Sequence, residues 1–185
     1  MVEKKSVYRV VITAILCAIG ILIPMTFPKI SLPPASFTLA SHVPIFIAVF
    51  MSPGIAAAVC VGTTIGFVFS GLLPVIWMRA ATHIVFALVG SLWLKKHPLF
   101  LNKPSKAVIF AIVTGLIHAV CEVLIVSLFY FGENLTAGFY DNGFLRSVIL
   151  LVGVGTVVHS CIDFTIALGI WKALGRITKN SIAYL

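Results

Sequence analysis

The chain has 185 residues, of which 61% are hydrophobic and only 10% charged, and its mean hydropathy is +1.16. So few polar groups cannot cover a water-facing surface, which excludes a soluble globular protein and points to an integral membrane chain. The net charge of +8 invites a nucleic-acid partner, but the basic residues gather at the ends of apolar segments, which argues against one.

A crossing needs about 20 apolar residues to span hydrocarbon about 30 Å thick, and Pro, Gly and charged residues divide the chain into six candidates. The first, residues 8–27, follows Lys4, Lys5 and Arg9. More apolar segments come after it rather than a soluble domain, so it reads as a retained helix and not as a removable signal. It carries Ala14 and Ala18, a small-residue pair at spacing four that says little alone.

The connection from Pro28 to Pro44 is unlike the rest. Pro33 and Pro34 fix φ and lack donors, which predicts a rigid extended segment before the second helix. Ser36, Thr38 and Ser41 then present hydroxyls beside His42. Either Ser36 or Thr38 caps the second helix, or the connection lids a pocket and its hydroxyls meet polar ligand atoms. The second and third segments, residues 37–51 and 55–70, are short. Ala58, Gly62, Gly66 and Ser70 form a small-residue stripe on the third, which predicts close helix packing inside the bundle.

The remaining segments, residues 74–94, 107–131 and 144–171, each carry an ionisable pair four residues apart: Arg79 with His83, His118 with Glu122, and His159 with Asp163. That spacing puts each pair on one helix face. Such groups are costly in hydrocarbon and are kept for a pathway or a ligand, although a His–carboxylate contact also serves as structural glue. If helices start at Phe37 and Pro74 on the outer side, His42 and Arg79 both lie about 7.5 Å inward and share a level. Trp77 lies near the mouth, as a stacking platform or an interfacial anchor. Glu122 lies roughly 14 Å deep, a floor or counter-charge for Arg79, while His159 and Asp163 fall below the pocket as structural support or part of a motion.

Lys4, Lys5 and Arg9 precede the first segment, Lys95, Lys96, Lys103 and Lys106 lie between the fourth and fifth, and Lys172, Arg176 and Lys179 follow the sixth. With six crossings these clusters share one face, which the positive-inside rule makes cytoplasmic, with both termini on it. The expected fold is therefore an all-α, single-domain bundle of six transmembrane helices in the plasma membrane. Cys17, Cys60, Cys121 and Cys161 sit inside apolar segments as small packing residues rather than as a metal or disulfide framework. No phosphate-binding loop, metalloprotease helix or nucleophile elbow is present, so no enzymatic activity, metal or other cofactor is expected of this chain.

A small six-helix membrane protein with Ala14-Ile-Leu-Cys-Ala18 in its first helix, basic cytoplasmic loops and no ATPase resembles the substrate-binding S component of an energy-coupling factor (ECF) vitamin transporter. The resemblance covers nearly the whole chain. It implies that Ala14 and Ala18 contact a transmembrane coupling subunit joined to two cytoplasmic ATPases, and that a vitamin binds near the outer face around Arg79. The run Ala35-Ser-Phe-Thr-Leu-Ala-Ser-His-Val-Pro44 with Arg79 and His83 is most similar to the niacin-specific members. Arg79, His42, His83 and Trp77 suit a carboxylate on a ring, with Ser36, Thr38, Glu122 and His118 completing the expected binding set. Pantothenate would use the same Arg79 and the serines. Metal-specific members begin with a histidine after Met1, where this chain has Val2. A proton-coupled secondary carrier using Glu122 and Asp163 as a relay is the competing class, although no inverted repeat is evident.

Overall fold

The computed structural model describes residues 2–32 and 35–177, with side chains from 6 to 30 and from 37 to 175. Pro33, Pro34 and Lys179 lie outside the described residues, and Ser36 is described in its backbone only. Helix α1 covers Val2–Thr26, and strands β1 (Lys29–Leu32) and β2 (Ala35–Thr38) follow it as an antiparallel hairpin that pairs Ile30 with Phe37. Then come α2 (Val43–Met51), α3 (Pro53–Phe69), α4 (Pro74–Lys96), a 3-10 turn (Phe100–Asn102) and α5 (Pro104–Phe131). A short α6 (Ala137–Asp141) precedes a π-helical stretch, Leu145–Val154, that runs directly into α7 (Gly155–Ile177).

Prolines set most of the helix starts. Pro44, Pro53, Pro74 and Pro104 all occupy the first turn of a helix, where the missing N–H has no intrahelical partner to lose. Ser52 separates α2 from α3 and accepts a hydrogen bond from the Ile55 amide, capping α3. Among the described residues four helical stretches are long and apolar enough to cross a membrane: Ser6–Thr26, Pro74–Lys96, Pro104–Phe131 and Leu145–Gly175.

Of the other two segments, α3 (Pro53–Phe69) lies close to the expected 55–70, whereas α2 is shorter than the expected 37–51. The 17 residues of α3 reach roughly 25 Å, and the 9 of α2 only about 13 Å, so α2 does not cross by itself. It begins at Val43 rather than Phe37, because residues 37–42 are spent on a strand and a turn. Seven of its residues are buried, and it packs against α1, α3, α4 and α7 in the middle of the bundle. Non-helical backbone is tolerated at that depth only when protein or a cavity, not lipid, surrounds it, and the turn before α2 meets that condition.

Two close approaches hold the frame. A Cβ on Gly62 would stand 2.5 Å from Cys17 Sγ, and one on Gly66 would overlap Ile21, so the small-residue stripe of α3 is the face on which α1 rests. Below the turn, Phe46, Phe86, Phe110 and Phe164 form a plug: Phe46 lies 5.4 Å from both Phe86 and Phe164, and Phe110 lies 5.6 Å from Phe164. These are tilted and edge contacts of the kind aromatic rings favour.

Candidate functional site

The site starts from Asp163 on α7. Its Oδ1 accepts the Ala40 amide at 2.8 Å and its Oδ2 accepts the His42 amide at 2.9 Å. These donors belong to the turn that leads into α2, so a carboxylate 121 positions away does the work expected of Ser36 or Thr38. No side chain caps α2 locally. Presenting both amides requires Ala40 to sit at φ 68°, a strained position for alanine that persists because Asp163 fixes it.

Asp163 also orients imidazoles. Its Oδ2 lies 3.1 Å from His42 Nδ1 and 3.3 Å from His159 Nε2, and Ser41 Oγ bridges to His159 Nε2 at 3.1 Å. His42 then forms the hub of a four-ring cluster. Its centroid lies 4.8 Å from His83, 4.7 Å from His118 and 4.9 Å from His159, all edge-on, and His83 lies 4.7 Å from His118.

Glu122 on α5 closes the other side. Its Oε2 accepts from Arg79 Nη2 at 2.7 Å and from Thr156 Oγ1 at 2.8 Å, while Oε1 faces the Nε2 atoms of His83 and His118 at 3.5 and 3.4 Å. Glu122 is 3% exposed, and a carboxylate that deep persists only when paired and hydrogen-bonded. Arg79 is less enclosed, its side chain 22% exposed, and its Nε makes no hydrogen bond among the described residues.

A cavity of about 590 Å³ opens above these groups, within the 300–1,000 Å³ range of small-ligand pockets. Arg79, His83, His42, Thr38, Ser41 and Glu122 line it, joined by His159, Lys29 and Phe37. His118 is fully buried behind His42 and His83 and does not reach the cavity wall. Trp77 is half-buried on α4 and also lies off the wall. Ala14 and Ala18 are exposed on the outer face of α1, away from the cavity.

The depths differ from expectation. His42 does not share a level with Arg79; it meets His83, His118 and His159, one turn further in, because the turn carrying it is pulled down onto Asp163. His159 and Asp163 are not beneath the pocket either, since His159 lines it and Asp163 ties its wall. Thr156 and Lys29 were not foreseen as site residues. The spacing of Thr156, His159 and Asp163, all on one face of α7, is the sequence signal that would have found the first; Lys29 gives none.

Over 175 residues the chain is 43% identical to a protein described as "Niacin transporter NiaX" from Lactococcus lactis subsp. cremoris, an alignment covering 94% of this chain and 78% of that one. The chain belongs to the NiaX family. Neither a family model nor a solved structure matches it. Kinship with a transporter and four helices long and apolar enough to cross make it a multi-pass transport protein of the cell membrane.

Proposed function

We propose that this chain captures niacin, as nicotinate, at the outer face of the membrane and acts as the S component of an ECF-type importer. The observation that carries the reading is Arg79. Glu122 holds one arm of its guanidinium, and the partly exposed remainder faces a cavity that also contains Lys29. A guanidinium held in this way is pre-ordered to receive a carboxylate, and its donors form charge-assisted hydrogen bonds that a neutral ligand cannot match. His42, His83 and Phe37 would surround the ring, and Thr38 and Ser41 would supply hydroxyls. The name of the Lactococcus relative supports niacin over pantothenate.

The chain would carry out no covalent chemistry. ATP hydrolysis would belong to two cytoplasmic subunits, joined through a transmembrane coupling subunit that docks on the exposed face of α1 at Ala14 and Ala18. The hairpin and α2 together would make the second passage through the membrane, which keeps an even number of passages. Both termini and the three basic clusters then lie on the cytoplasmic side, in one six-helix domain. Substrate capture and inward release would be separate steps, the second driven by reorientation of the whole bundle.

Co-expression with an ECF coupling module tests this. Nicotinate uptake should require the module and ATP, and Ala14→Leu with Ala18→Leu should abolish uptake while leaving binding intact. Uptake by the chain alone that an uncoupler stops would replace this reading with the proton-coupled carrier.

A further inference from the structure

The four clustered histidines do not share one role. His159 is engaged by Ser41 and Asp163, and both Asp163 oxygens are taken by the turn before α2. His83 and His118 are different. Both are buried, and among the described residues none of their four ring nitrogens makes a hydrogen bond, although Glu122 Oε1 faces their Nε2 atoms at 3.5 and 3.4 Å. An imidazole that deep is ordinarily satisfied by a carbonyl, a carboxylate or a metal.

We propose that His42, His83 and His118 form a binding site for a divalent transition-metal ion of the zinc type, with its fourth coordination position open to the cavity. One ring nitrogen from each of the three lies within 4.8 Å of the others. A tetrahedral ion with Zn–N bonds of about 2.0–2.1 Å needs nitrogens about 3.3 Å apart, so ring rotations closing at most about 1.5 Å would assemble the site. The outer shell is present as well. Asp163 Oδ2 at His42 Nδ1 leaves His42 Nε2 as the ligand atom, and Glu122 Oε1 stands beside both other rings, the carboxylate–histidine arrangement that orients metal ligands. Three neutral imidazoles with no thiolate suit zinc, copper or nickel better than calcium or magnesium.

Charge points the same way. Arg79, Lys29 and Glu122 line the cavity and, with neutral imidazoles, Asp163 behind the wall cancels their remaining charge, which leaves no excess positive charge there. A dication supplies one, directly under an anion's binding place. His42 and His83 line the cavity while His118 lies behind them, so the open position faces inward to the ligand space. There the nitrogen of a pyridine ring is a suitable fourth ligand, a step that rests on the niacin reading.

The test uses the full-length protein without a polyhistidine tag, purified in detergent and stripped with a chelator. Titrated with Zn²⁺ alone, it should take up one ion per chain by elemental analysis, and Co²⁺ should give the intense visible absorption of a four-coordinate site. His83→Gln and His118→Ala should each weaken Zn²⁺ binding at least tenfold. Asp163→Asn should weaken it by about 10–100-fold, as outer-shell changes do. His97→Ala, at the exposed end of α4, should change nothing. No stoichiometric zinc in the wild-type protein, or undiminished zinc in both His83→Gln and His118→Ala, overturns the site. Nicotinate should shift the Co²⁺ spectrum and benzoate, which lacks the ring nitrogen, should not; equal effects of the two overturn the open fourth position. Nicotinate binding measured by calorimetry on the stripped protein fails or succeeds separately, which keeps the vitamin reading distinct.

Discussion

Two layers of the bundle meet at α2. Below it lies the phenylalanine plug of Phe46, Phe86, Phe110 and Phe164, and above it lies the cluster of Arg79, Glu122, Asp163 and four histidines. Phe86 touches both, its ring 4.8 Å from His118. The lower layer is held by shape and dispersion, which many apolar residues could supply. The upper layer is held by two carboxylates, Asp163 and Glu122, whose partners come from three helices and a turn, so each hydrogen-bonded group there has a specific partner to lose. The difference separates residues that keep the bundle together from residues that define what it binds.

The largest effect on that contrast comes from opening the plug. Phe46→Ala should lower the stability of the detergent-solubilised protein by about 3–5 kcal/mol, read as a fall in its melting temperature, with any bound ligand partly restoring it. Next, Glu122→Gln removes one partner of a buried pair and leaves Arg79 uncompensated, at a cost of about 3 kcal/mol. In the same thermal assay its effect should be salt-independent, which separates it from surface pairs. Arg79→Ala should lower nicotinate affinity by about 10–100-fold, from loss of charge-assisted hydrogen bonds of about 1.5–3 kcal/mol, as measured by equilibrium binding. Ser41→Ala, which removes one hydroxyl beside His159, should cost only about 0.5–1.5 kcal/mol.

The apolar segments and the close packing of the small-residue face of α3 were legible because helix periodicity and small-residue spacing are local; that α1 is the partner was not. Arg79, His83, His118 and Glu122 also stood out, since a membrane helix exposes its costly groups in the sequence itself, but which of them meet did not. The start of α2 was not legible. Only Pro44 hints that the helix is delayed to Val43, because the acceptor that holds the intervening turn, Asp163, lies on α7. Depth counted along a helix therefore placed His42 too far out and His159 too far in. Lys29 reaches the cavity through the hairpin, a long-range arrangement with no periodic signature.

Calorimetric titration of the purified protein with nicotinate, beside pantothenate and beside the Arg79→Ala variant, tests the central claim most directly. Submicromolar nicotinate binding is expected, on the scale of −8 kcal/mol or tighter, with no comparable response to pantothenate and a marked loss in Arg79→Ala. Tight pantothenate binding, or nicotinate binding that survives Arg79→Ala unchanged, would contradict it.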